Sequence, residues 1–205
     1  MAPPELPEER ARALIDQQLE RAGWKVFNRN EIDLVNHRGV AVREVIMAAD
    51  HGRADYLLYV DSMVVGVIEA KPVGTPLAGV QWQSAMYAVG LPAAYQPQAV
   101  LKDERLPFVF EASGIETQFT NGYDPIPRAR QLFNFPQPET LARIIRDAQA
   151  NPEAPTWRAR VRSMPPYEHY DLRPASKIAV GAVEQSLGAG KFSRSLVQMA
   201  TGAGK

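Results

Sequence analysis

Asp55 and the triplet Glu69-Ala70-Lys71 are the residues of this chain whose types and spacing suit chemistry. They flank two apolar, β-rich runs, Tyr56–Val60 and Met63–Ile68, separated by the polar pair Asp61-Ser62. Such a pattern predicts a β-hairpin. A hairpin returns the end of its second strand beside the start of its first, so Glu69 is expected near Asp55. Side chains two apart on a strand share a face, which points Lys71 the same way as Glu69. Two carboxylates offer oxygen ligands to a hard cation such as Mg²⁺, with the Ala70 carbonyl as a third ligand. The lysine can orient water or steady phosphate charge. That is the chemistry of phosphodiester hydrolysis. The plainer reading of Glu-x-Lys is a solvated ion pair that contributes little.

A helix is expected over Leu77–Val89, and on it Gln83 and Tyr87 stand four apart on one face. They would touch a nucleotide or hold the acids; the alternative is a Tyr87 packed in the core. Upstream, a helix over Pro7–Ala22 starts near proline and ends at Gly23. Its Glu9 and Glu20 read as solvated charges, with an extra acid for the site as the functional alternative. Strands follow over Val40–Met47, Asp55–Val60, Val64–Glu69, Phe108–Ala112 and Thr117–Thr120, an αβββαβ order and a mixed α/β fold. Regular alternation would put Glu44 on the face of Val40, Val42 and Ile46, where an acid needs a partner. Pairing with Arg43 or Arg53 is favoured over a third site carboxylate.

These stretches together resemble the PD-(D/E)xK nuclease superfamily in its Gln-x-x-x-Tyr form. More narrowly, the chain resembles the N-terminal region of the restriction (motor) subunit of type I restriction–modification enzymes. The resemblance rests on Val42-Arg43-Glu44, on His51 to Asp61, on Gly66 to Lys71, and on Trp82 to Tyr87. Phe119-Thr120-Asn121-Gly122 and Pro138 to Ala142 extend it. It implies that Asp55 and Glu69 bind Mg²⁺ (or Mn²⁺), that Lys71 assists attack, and that Gln83 and Tyr87 support cleavage or DNA contact. It also implies double-stranded DNA as substrate, with specificity and methyltransferase subunits as partners of the full-length protein.

The net charge of the 205-residue chain is zero, with 23 basic and 23 acidic side chains, so no DNA-wrapping basic surface is evident. DNA affinity is expected to be local or supplied by other parts of a complex. There is no cysteine, hence no disulfide or thiolate metal site. The first residues lack a secretory leader pattern, and no apolar run nears the roughly 18 residues of a membrane span. A cytoplasmic protein is expected.

The expected domains are 1–124 for the nuclease, 125–166 for a proline-rich linker with one short helix over Pro138–Ala150, and 167–205 for the start of a helicase motor. The last part carries a helix over Ala175–Leu187 and a strand over Ser195–Met199 that leads into Ala200-Thr201-Gly202-Ala203-Gly204-Lys205. This resembles the phosphate-binding loop of superfamily 2 helicases, ending before the hydroxyl residue that holds Mg²⁺. ATP binding through Thr201 to Lys205 is therefore expected only of a full-length protein. Ser176, where related motors read glutamine, lacks an amide's paired donor and acceptor for adenine.

His37, His51 and His169 show no metal spacing. Trp24, Trp82 and Trp157 read as core or packing residues rather than a base-stacking platform. Arg158, Arg160 and Arg162 read as a solvated basic strand or linker, with phosphate contact as the alternative. Beside the nuclease stand two other readings, a catalytically silent docking module and a nucleotide-binding tail.

Overall fold

A computed structural model describes residues 7–48, 51–77, 89–165, 171–188 and 194–202. It forms two compact units, Met1–Tyr123 with Pro127–Ile145, and Asp124–Ile126 with Arg146–Lys205.

The first unit begins with α1 (Pro7–Arg21). Its apolar stripe, Ala11, Ile15 and Leu19, recurs every four residues and is fully buried. Glu8 and Glu9 favour its N-terminus. Gly23 ends it with φ +87, as the amides of Gly23 and Trp24 donate to the carbonyls of Glu20 and Leu19.

Seven strands then pair in chain order: β1 (Lys25–Phe27), β2 (Gly39–Ile46), β3 (Arg53–Val60), β4 (Met63–Ala70), β5 (Phe108–Ala112), β6 (Thr117–Asn121) and β7 (Arg130–Leu132). Pairs β1–β2 and β4–β5 are parallel and the others antiparallel. The mixed α/β expectation holds, and β1 and β7 are additions of three residues each. The expected hairpin is β3–β4. Asp61 and Ser62 both have positive φ, 50° and 65°, as the tightest hairpin turns require.

Two irregularities interrupt the regular pleat. In β4 the register passes from Tyr59↔Val64 to Leu58↔Gly66, which leaves Val65 as a bulge. In β2 Glu44 has φ +56. Val40 and Val42 before it, and Val45 and Met47 after it, belong to one buried cluster, so the core face changes from even to odd positions. Glu44 therefore does not share the apolar face of Val40 and Val42; its side chain is 47% exposed, and Ile46 is exposed too.

Pro125 to Pro166, expected from the sequence to be a linker with one helix, contributes β7 to the sheet and carries α2 (Pro138–Ala150) and α3 (Trp157–Ser163). Leu141, Ala142 and Ile145 of α2 are buried. In the second unit Thr156 caps α3 by accepting from the Ala159 amide at 3.2 Å. Arg158, Arg160 and Arg162 thus lie on a helix, not on a strand or linker. Trp24 is buried as expected, its indole N–H donating to the Pro136 carbonyl at 2.8 Å. Trp157 is not a core residue: it is 76% exposed, with the Arg160 guanidinium 5.2 Å from its ring centre. The last helix, α4 (Pro174–Gly188), covers its expected span. Residues 194–200 form no strand, because no neighbouring strand among the described residues pairs with them.

Gly66 tests this sheet. It pairs with Phe108 across the parallel β4–β5 seam, where an added Cβ would come 2.8 Å from the Phe108 Cβ and 3.1 Å from its carbonyl carbon. Gly66→Ala is expected to destabilise the fold by about 1–3 kcal/mol through overpacking, measured by urea denaturation. A change within error would show that the seam relaxes freely.

Candidate active site

The hairpin register pairs Tyr56 with Ile68, and one step further sets Asp55 opposite Glu69. Asp55 is held from two sides. Its Oδ2 accepts from the Ala70 amide at 2.8 Å, which ties it to the Glu-Ala-Lys triplet. Its Oδ1 accepts from Arg12 Nη2 at 2.6 Å and Nε at 3.1 Å. The Lys71 ammonium donates to Glu69 Oε1 at 2.8 Å. Glu69 Oε2 is buried and has no hydrogen-bond partner. The structure thus brings Asp55, Glu69, Ala70 and Lys71 together. Gln83 and Tyr87 lie outside the described residues, as do Trp82, His169 and Ala203 to Lys205.

Burial dominates the electrostatics of Glu69. Removal from water raises its pKa above the ordinary carboxylate value. Lys71 pulls it down, and the neighbouring Asp55 pushes it up again, leaving it raised. An oxygen that is buried, unpartnered and close to a second carboxylate suits a cation. Among the described residues no group of three or more acidic or histidine side chains is placed to hold a metal. A cation here would therefore draw on Asp55, Glu69 and the Ala70 carbonyl, with water or phosphate completing its shell, as Mg²⁺ commonly does.

Three groups escaped the sequence reading. Arg12 gave no signal, because its reach depends on how α1 lies over the sheet. Beyond Asp55, its Nη1 donates to Glu44 Oε1 at 3.1 Å and its Nη2 to Glu8 Oε1 at 2.9 Å. Burial opposes the Arg12 charge, yet the surrounding carboxylates raise its pKa, Asp55 foremost. Asp16 of α1 is the second: it accepts from Arg43 Nη2 and from the buried Tyr56 hydroxyl, both at 2.8 Å. The third is Glu111, the register partner of Glu69 on β5 and only 3% exposed. A lone acid within Phe-Val-Phe-Glu-Ala was the available sign.

Glu44 is paired, as favoured, but with Arg12 as well as Arg53, the latter at 3.6 Å. Glu9 and Glu20 are exposed, and Glu8 joins the cluster from the first helix. At the chain's end Gly202 has φ +81 and its carbonyl accepts from Arg173 at 2.8 Å. Ser176 is buried.

Residues 29–121 match the family model described as the second domain of the type I restriction enzyme EcoKI endonuclease subunit. The matched segment contains β2, β3 and β4, and with them Asp55, Glu69 and Lys71. Among solved structures, the chain is similar to a fragment of a putative HsdR subunit of a type I restriction enzyme from Vibrio vulnificus YJ016. Identity is 23%, with a TM-score of 0.48, over 97% of this chain and 35% of that one. The chain thus spans about a third of that fragment's length. No curated protein matches it. Among the described residues no helix is long and apolar enough to cross a membrane.

The raised pKa of Glu69 has a definite sign. The folded chain keeps this proton to higher pH than the unfolded chain, so stability falls as pH rises from near 4.5 through the folded value. Above the folded value the cost of the buried charge is fully present. Glu69→Gln is expected to melt higher than the parent at pH 7.5 and to lose that advantage at pH 4, in thermal denaturation followed by circular dichroism. A difference independent of pH would remove the burial argument.

Proposed function

We propose that this chain is the metal-dependent DNA endonuclease part of a type I restriction subunit, with a PD-(D/E)xK core. The supporting observation is the convergence of Asp55, Glu69 and Lys71 at one end of β3–β4, where a buried Glu69 oxygen has no partner. The family match of residues 29–121 agrees with it.

In this reading Asp55, Glu69 and the Ala70 carbonyl hold Mg²⁺, or Mn²⁺ in its place. The cation would polarise the scissile phosphoryl group and acidify the attacking water. Glu69 fixes Lys71 Nζ on the same face, from which it donates to the incoming water or to a phosphate oxygen. The Ala70 amide keeps one Asp55 oxygen turned toward β4, which preserves the angle between the two carboxylates. Gln83 and Tyr87 are assigned to support of the phosphate and the acids.

The remaining parts follow the same reading. Residues 1–124 form the nuclease together with β7, the rest of 125–166 joins it to a motor, and 167–205 begin that motor. Thr201, Gly202, Ala203, Gly204 and Lys205 open its ATP loop, so ATP serves only the full-length protein. Double-stranded DNA is delivered by translocation, and companion specificity and methyltransferase subunits choose the site. The neutral charge of the chain supports such dependence, since it offers little non-specific grip on phosphates.

Asp55→Ala and Lys71→Ala, each in the assembled full-length enzyme, should lower DNA cleavage by at least about 100-fold. ATP-driven translocation should continue at the parent rate. Cleavage unchanged in both variants would instead favour a silent docking module.

A further inference from the structure

Among the described residues Arg12 is the cation whose fork reaches Asp55, and its remaining contacts show what it does there. Its guanidinium meets three carboxylates from three elements: Glu8 one turn earlier on α1, Glu44 on β2 and Asp55 on β3. They differ in setting. The Asp55 side chain is 11% exposed, whereas those of Glu8 and Glu44 are 55% and 47% exposed. The Asp55 contact is also the shortest, and two guanidinium nitrogens share its Oδ1. Asp55 and Glu69 lie side by side at low exposure, and Lys71 answers Glu69 through its 2.8 Å contact with Oε1. Like charges so placed need a counter-charge, and Arg12 supplies it at Asp55.

We propose that Arg12 is a built-in counter-cation that occupies Asp55 before a divalent ion does, with Glu8 and Glu44 holding the guanidinium when Asp55 lets go. The proposal rests on the metal-site reading of Asp55 and Glu69. Asp55 Oδ1 is bound twice by Arg12 and Oδ2 once by the Ala70 amide, so a cation on Oδ1 must displace an arginine contact and one on Oδ2 must enter beside the guanidinium charge. Displacement need not carry Arg12 far. Nη1 is already on Glu44 and Nη2 on Glu8, so a small rotation frees Asp55 while two carboxylates keep the charge nearby. Glu44 has the means to receive it: its left-handed backbone turns its side chain out of the core face toward Arg12 and Arg53. The arrangement keeps the acids folded and paired without metal. It also sets a threshold for metal entry, because an ion must outcompete a positive charge already in place. Arg12 is thus a positioning residue for the metal ligand.

The test is Mn²⁺ titration by calorimetry on the 205-residue chain, comparing the parent with Arg12→Gln, Arg12→Lys and Glu69→Ala. Removing one unit charge within a few ångströms of a partly buried cation site should tighten binding on the order of tenfold. Arg12→Gln should therefore bind Mn²⁺ more tightly than the parent even as its melting temperature falls, with Arg12→Lys in between. A merely structural Arg12 would lower the melting temperature and leave metal affinity unchanged, and that result overturns the proposal. So does weaker binding in Arg12→Gln, or no binding in both parent and Arg12→Gln. Binding in Arg12→Gln with none in the parent supports it. Should the variants fold poorly, the Arg12 Nε–H resonance of the ¹⁵N-labelled parent decides: it should move on Mg²⁺ saturation, and an unmoved resonance in a metal-bound sample overturns the proposal. Glu69→Ala separates the two readings. Mn²⁺ binding that survives it undiminished removes the metal-site reading itself, whatever Arg12 does.

Discussion

Carboxylates on adjacent strands repel one another, and the end of the β3–β4 hairpin is organised around that repulsion. Asp55 and Glu69 face each other because the hairpin turn leaves no other register. Each is then answered by a cation from a different direction, Lys71 from just beyond β4 and Arg12 from α1. Neither cation satisfies the whole site, since Glu69 Oε2 is left buried with no partner. Fuller neutralisation by side chains would give a more comfortable fold and a poorer place for a metal ion. Partial neutralisation keeps the chain folded and, on the proposed reading, leaves the site receptive.

The weight of α1 on the sheet is carried by its apolar stripe. Ile15 and Leu19 are fully buried, each contributing about 1.5–3 kcal/mol by removal from water. The Arg12–Glu8 pair within the helix is exposed enough to add little. The ion pairs decide orientation instead. Arg12 reaches from helix to sheet, and Arg43 reaches from sheet to helix, where Asp16 also receives the Tyr56 hydroxyl. Two forks pointing in opposite directions fix both the rotation and the position of α1. A stripe of alanine, isoleucine and leucine alone would tolerate sliding by a turn.

Much of the fold was legible because it is local. Period-two runs around Asp61-Ser62 marked the hairpin, and the hairpin alone brought Asp55 to Glu69. Proline and glycine marked the ends of α1. What escaped is what depends on other elements. Strands of three residues, β1 and β7, exist only because a longer strand lies alongside. The apolar run Ser195–Met199 has strand composition but no partner among the described residues, so it remains irregular. Trp157 was read as a core or packing residue on residue type, yet α3 turns it outward, where it packs against Arg160. Arg12 and Glu111 were missed for the same reason: each matters through a residue far along the chain, Asp55 for one and Glu69 for the other.

Glu44 shows how such non-local information acts on the backbone. On a regular strand it would follow Val40 and Val42 into the core face, where a carboxylate is expensive. A positive φ at a non-glycine residue is itself unfavourable, on the order of 1 kcal/mol. The chain adopts it because the change accomplishes two things at once. Val45 and Met47 enter the core in place of Glu44 and Ile46, and the carboxylate swings out to meet Arg12 and Arg53. Glu44 stands across from Asp55, between the paired positions Arg43↔Tyr56 and Val45↔Ala54. The strained residue and the candidate metal ligand are therefore neighbours across one strand pair and share the same arginine. Relaxing Glu44 to regular β geometry would return the acid to the core face and leave Arg12 with less to hold it beyond Asp55. The local strain is tied to the site through that shared partner, so the two are expected to change together.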